Sequence, residues 1–430
     1  MVSPKRLLAV AYYYPPIKSI ASVRSRNLVA ESLNHFDEVV VLTTQNRDRL
    51  PADAYAPAET AVVRALPTLD FRTLFPRPAV KSTSRTADGL YRILNSFPFN
   101  LLAGIGGLLY VVAGVYMGAR YVRRRNITHL YSSYFPYADH FICYCLVLLF
   151  PRLHWTADFR DLHVDPVAPE VIWPRFQRSI NRLILRRSQL VTTVSEGLAT
   201  ALRRDARSIW VMPNAIARER LTLKSPPPQG LFFDIVYTGN LYAGRRDPST
   251  LFGALRSLID AEAIDATHLR LRYAGNDGAA WYTLAATHGL ADCVDDLGMV
   301  PHTAAMKLQQ SASLNLLLSW SSPQSTGVLT GKLYEYLAAR RPILLLLKGT
   351  RDAEFEALFA RTQAGLVAYS PPTSLLKVDA FVRLLYEKWL RDGTTGYAID
   401  ATKLSEFGWP LRVADWLDQI AKTTIRHKCT

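Results

Sequence analysis

Short apolar runs rich in β-branched residues and leucine alternate with helical segments twice along this chain, and a proline-rich stretch separates the two series. In the first series, Leu7 to Tyr12 is apolar and is stopped by Pro15 and Pro16. Ser22 to Leu33 has helical spacing, with Val23, Leu28, Val29 and Leu33 on one side, and Glu38 to Thr43 (EVVVLT) is a second apolar run. Strand, loop, helix and strand in that order form a unit of a parallel sheet. Ile127 to Ser132, His154 to Ala157, Leu190 to Val194 and Ile209 to Met212 read as further strands, with Phe141 to Phe150 and Glu196 to Arg203 as helices between them. Residues 47–88 are rich in Pro, Arg and Thr and read as irregular.

The stretch ERLTLKSPPPQG, residues 219–230, holds three consecutive prolines, which are semi-rigid and cannot pair in a sheet. Beyond this linker the alternation restarts. Strands are expected at Asp234–Thr238, Leu269–Ala274, Val294–Leu297, Leu314–Ser319 and Pro342–Leu347. Helices are expected at Pro248–Leu258, Trp281–His288, Ala304–Gln310, around Lys332, and at Trp409–Ile420. Two such series specify an α/β chain of two doubly wound, Rossmann-like domains, within the two or three expected of 430 residues. Ligands of such sheets bind at the carboxyl ends of the strands, so a cleft between the domains is the expected site.

A formal charge of +15 calls for an anionic partner. Nucleic acid, anionic lipid and a nucleotide-charged substrate all qualify, but no Lys-rich run or zinc-finger spacing favours nucleic acid. Cys143, Cys145, Cys293 and Cys429 make no metal or disulfide pattern, which points to a reducing compartment. The apolar run after Lys5 and Arg6 is short for a signal sequence and reads as a buried first strand.

Gly327 to Leu347 (GVLTGKLYEYLAARRPILLLL) reads as a glycine-bracketed loop, a short helix and a buried strand. Lys332 ends the loop and Glu335 is the one acid of the helix. Free amides at a positive helix start, a cation and a carboxylate one turn apart suit a nucleoside diphosphate: amides and lysine for the phosphates, the carboxylate for ribose hydroxyls. A surface helix with Lys and Glu three residues apart is the plain alternative. Elsewhere, Leu101 to Gly118 is uncharged and nearly long enough to span a bilayer. Strands on both sides of it belong to one sheet, so an interfacial helix fits better than a crossing. Arg120, Arg123, Arg124 and Arg125 would then meet anionic headgroups. A buried core helix is the alternative.

These segments together resemble the retaining glycosyltransferases of family 4, which have the GT-B fold. The matching segments are AYYYPPIKSIASVRSRNLVAESL, HWTADFRDLH, VTTVSEGLATAL, IWVMPNAI, IVYTGNLYAGRRDP, GKLYEYLAARRPIL and FGWPLRVADWLDQI. The resemblance implies an N-terminal acceptor domain over residues 1–215, completed by about 408–430, and a C-terminal nucleotide-sugar domain over 216–407. It implies donor contacts from Gly239, Asn240, Arg245, Arg246, Gly275, Val300, Gly327, Thr330, Gly331, Lys332, Leu333 and Glu335. Arg160, Asp161 and Lys332 would be catalytic, with Arg160 steadying leaving-group charge. Ser19, Ser22, Arg24 and His163 would meet the acceptor. The family usually carries a second glutamate eight positions before Glu335; here that position is Gly327, whose neighbouring amides could take over its contacts.

The expectation is a glycosyltransferase that moves a sugar from a nucleoside-diphosphate sugar to a hydroxyl, with retention, and needs no metal or other cofactor. The acceptor expected is a lipid-linked saccharide in surface-polysaccharide synthesis, worked on at the cytoplasmic face of the inner membrane by a peripheral protein. A sugar-nucleotide epimerase of the same fold, or a non-catalytic scaffold with a degenerate donor site, are the alternatives.

Overall fold

The computed structural model describes residues 5–17, 19–45, 60–70, 93–94, 96–161, 173–222, 231–242, 244–321, 329–370, 374–395, 399 and 401–428. The chain divides into two compact units: residues 1–213 together with 412–430, and residues 214–411.

The first unit is built on a parallel sheet of β1 (Arg6–Val10), β2 (Glu38–Thr44), β3 (Val62–Leu66), β4 (His129–Tyr134), β5 (His154–Phe159), β6 (Leu190–Thr193) and β7 (Ile209–Val211). Their order is β3-β2-β1-β4-β5-β6-β7. The helices are α1 (Ile20–Ser32), α2 (Leu108–Arg125), α3 (Tyr137–Leu149), α4 (Pro174–Arg187) and α5 (Glu196–Leu202). A last helix, α13 (Trp409–Lys428), joins this unit from Arg412 onward. Its Trp416 is fully buried, packs on Tyr131, and donates to Thr156 Oγ1 on β5 at 3.1 Å.

Two expectations for this unit are corrected. Residues 47–88 are not wholly irregular, because β3 lies within them and pairs in parallel with β2. It is a short, half-exposed edge strand, VVRAL, set in a stretch otherwise rich in Pro, Arg and Thr, which hides it. Nor is the apolar run from Leu101 one helix. A separate helical turn covers Asn100–Ala103, Gly104, Gly106 and Gly107 interrupt the run, and α2 starts only at Leu108. The helix α4 was not expected at all.

The second unit holds a parallel sheet of β8 (Phe233–Thr238), β9 (Leu269–Ala274), β10 (Val294–Asp296), β11 (Leu314–Ser321), β12 (Ile343–Gly349) and β13 (Gly365–Ser370). Its order is β10-β9-β8-β11-β12-β13, which places the switch of winding direction between β8 and β11. Its main helices are α6 (Arg218–Leu221), α7 (Ser249–Asp260), α8 (Gly278–Ala286), α9 (His302–Ser311), α10 (Gly331–Ala339), α11 (Ala353–Thr362) and α12 (Leu375–Asp392), and a short turn covers Ala401–Ser405. The turn α6 occupies the start of the segment read as linker. Both faces of this sheet are covered, which explains the unbroken leucines of β12. Leu344 and Leu346 join a core with α7, α8 and α12, while Ile343, Leu345 and Leu347 join another with α10 and α11.

Candidate functional site

The switch point of the second sheet is where β8 ends, and there Gly239 opens a loop facing the start of α10. Gly239 has φ +139°, and a Cβ at this position would lie 1.6 Å from Lys332 Nζ. Backbone and space both demand glycine, and the lysine ammonium occupies the room that glycine leaves. The loop is laced to its neighbours: Gly239 N donates to Ala274 O, Leu241 N to Asp277 Oδ2, and Gly275 N to Gly298 O. The Asn240 side chain accepts from Asn276 N at 3.3 Å.

Burial and the charge of Arg246 pull the Lys332 ammonium down to about 8, against the opposing pull of Glu335. Arg246 is itself 7% exposed. Its guanidinium lies 4.5 Å over the Tyr242 ring and 5.3 Å over Trp320, donates to Asn240 O at 3.3 Å, and has a buried Nε without a partner. Two cations confined side by side, one with its proton affinity lowered by the other, make an arrangement suited to an anion. Arg245 is exposed, 5.9 Å over Trp320. Thr330 caps α10 in an extended conformation without a side-chain bond, so the amides of Gly331 and Lys332 begin the helix at this seat.

Glu335 stands one turn further along α10, with 24% of its side chain exposed. It accepts from His302 Nε2 at 2.8 Å and Gln309 Nε2 at 3.3 Å. Burial pushes its carboxyl up, but His302 above all, with Arg220 and Gln309, holds it below the usual carboxylate range. Neither His302 nor Gln309 was singled out in the sequence. His302 sits just before the expected helix start, and Gln309 looks like any polar helix residue.

The structure thus brings Gly239, Asn240, Arg246, Gly275, Lys332 and Glu335 together, with Thr330 and Gly331 at the helix start. Leu333 is fully buried in the core, so only its backbone can face a ligand. Val300 lines a groove of about 520 Å³ with Leu297, Ala304 and Leu308. Gly327 and His163 lie outside the described residues.

In the first unit, Arg160 follows β5 and donates to the carbonyls of Tyr134, at 2.5 Å, and Phe135, at 3.4 Å. Asp161 is exposed beside it. Ser19 caps α1 by accepting from Ser22 N at 3.0 Å. Ser22 is buried. Arg24, expected among acceptor contacts, is instead 2% exposed. It forms a two-pronged pair with Asp158, at 3.0 and 2.9 Å, and donates to Met212 O. Tyr131 and Thr192 fill the remaining positions of that carboxylate. This placement makes Arg24 a structural ion-pair residue.

No protein-family model and no curated protein sequence matches the chain. Solved structures do. One is a glycosyltransferase from Rickettsia africae, at TM-score 0.61 and 11% identity, covering 98% of this chain and 99% of that one. WaaG, a glycosyltransferase involved in lipopolysaccharide biosynthesis, matches at TM-score 0.51 and 10% identity over 96% and 95%. A protein assigned as a UDP-N-acetylglucosamine 2-epimerase from Listeria monocytogenes matches at TM-score 0.52 and 11% identity over 99% and 98%. The two doubly wound sheets and these likenesses define the GT-B fold.

Proposed function

We propose that this protein transfers a sugar from a nucleoside-diphosphate donor to an acceptor hydroxyl, with retention, as the family 4 enzymes do. The observation that carries the reading is the paired Lys332 and Arg246 at the switch point of the second sheet, one helical turn from an ionised Glu335. The cations and the start of α10 take the diphosphate, and Glu335 takes the ribose. With charge neutralised in this way, departure of the diphosphate needs no metal. Arg160 and Asp161 are the proposed catalytic residues of the first unit.

The acceptor proposed is a lipid-linked saccharide, as in surface-polysaccharide synthesis, met at the cytoplasmic face of the inner membrane. Support comes from the outer side of α2. Leu108, Leu109, Val112 and Tyr116 are exposed there, followed by Arg120, Arg123, Arg124 and Arg125. Next to the segment before α2, Phe99 packs against Trp173 at the start of α4. That helix carries five arginines, no acid, and exposed Phe176 and Leu183. Among the described residues, no helix is long and apolar enough to cross a membrane, so attachment would be interfacial.

The epimerase likeness gives the second reading. Incubation with a panel of nucleoside-diphosphate sugars, with and without polyprenyl-linked saccharides, separates the two. Transfer releases nucleoside diphosphate and glycosylates the lipid with the donor's anomeric configuration. Conversion of one sugar nucleotide into its epimer, without acceptor, would establish the second reading instead.

A further inference from the structure

We infer that His302 and Gln309 are positioning residues that hold Glu335 for a ribose diol, and so set a preference for ribonucleotides over deoxyribonucleotides. The inference rests on the nucleoside-diphosphate reading above. A glutamate on α10 alone would be free to rotate about its side-chain bonds. Here one oxygen lies 2.8 Å from His302 Nε2 and the other 3.3 Å from Gln309 Nε2. A carboxylate only accepts, so His302 Nε2 carries the proton.

The two partners are seven residues apart on α9 and therefore share one face of that helix. Gln309 is 1% exposed, and its amide donates a second time, to Thr238 Oγ1 at 3.1 Å. Thr238 immediately precedes Gly239, and its amide donates to Tyr336 OH at 3.2 Å. One network therefore ties the ribose carboxylate to Thr238, the residue just before the phosphate loop. A carboxylate has about four acceptor positions. Protein donors fill two, which leaves two for the two hydroxyl donors of a ribose. Because the carboxylate is already fixed, less freedom is lost when the diol binds.

Calorimetry tests this with the nucleoside diphosphate that binds most tightly from a panel of bases, and with its 2′-deoxy and 3′-deoxy analogues. The wild type should prefer the ribonucleotide. His302→Ala and Gln309→Met should each weaken ribonucleotide binding by roughly 3- to 30-fold, in the range of one or two lost hydrogen bonds. Deoxy analogues should be weakened much less. His302→Gln, which keeps a donor near the Nε2 position, should recover most of the preference. Equal weakening of ribo and deoxy ligands in these variants would mean a merely structural role and overturn the inference; if His302→Ala does not fold, Gln309→Met decides by the same criterion. A wild type that binds the diphosphate but does not distinguish ribose from deoxyribose overturns this inference and leaves the donor reading standing. Binding of no nucleoside diphosphate at all overturns both.

Discussion

Lys332 is the side chain of the proposed donor seat whose charge changes near neutral pH. Its proton affinity is lowered to about 8 by burial and Arg246, below the usual lysine value of about 10.4. A diphosphate favours the ammonium form, so affinity should be full below about pH 8. It should fall as pH rises through that value, by up to about tenfold per unit. Lys332→Arg should flatten this dependence, since a guanidinium does not titrate there. Calorimetry between pH 6.5 and 9.5 reads both. Arg24 calls for the opposite kind of test. Its partner Asp158 is pushed up by burial but held below the usual carboxylate range by the Arg24 charge and hydrogen bonds. Arg24→Ala would leave that carboxylate buried and unpaired, and should destabilise the protein by about 3–5 kcal/mol. Thermal unfolding checks this. A variant with unchanged stability and lost acceptor affinity would return Arg24 to the acceptor side.

Among the elements, α2 has two unlike faces. Its inner face fits α3 closely: a Cβ at Gly114 would lie 2.4 Å from Ile142 Cδ1, and Tyr110 OH bonds Asp139 at 2.8 Å. Its outer face presents Leu108, Leu109, Val112 and Tyr116, each about half-exposed or more. Each such side chain, once fully buried, contributes roughly 1.5–3 kcal/mol, and each nearby arginine about 1 kcal/mol at an anionic surface. Changing the four outer residues to Ser should abolish sedimentation with anionic vesicles and leave the melting temperature nearly unchanged. Loss of folding instead would show that this face packs within the protein. The element pattern also explains what could be read in advance. A strand buried on both faces, such as β12, is a continuous apolar run that sequence displays directly. The helix α4 is largely exposed and arginine-rich, which dilutes its apolar period, and the five-residue edge strand β3 is too short and too exposed to stand out from its Pro- and Arg-rich surroundings. The break ahead of α2 was hidden because an uncharged run reads as continuous whether or not glycines divide it.

For the molecule as a whole, each unit repeats the same winding, with its first strand in the interior of the sheet. The second unit places its glycine loop and its short helix at the switch point that this winding creates. That much of the site was legible, because Gly239, Arg246, Lys332 and Glu335 lie in local motifs next to strand ends. The partners of Glu335 were not, because His302 and Gln309 are 33 and 26 positions away and only the packing of α9 on α10 joins them. The most direct measurement is calorimetric titration of the whole protein with a nucleoside, its monophosphate and its diphosphate, across the common bases, repeated with Lys332→Met. The proposal predicts that one base series binds, that the diphosphate binds at least about tenfold more tightly than the nucleoside, a difference of about 1.4 kcal/mol, and that Lys332→Met removes most of that gain. A diphosphate that binds no more tightly than its nucleoside, or that ignores the loss of Lys332, would contradict it.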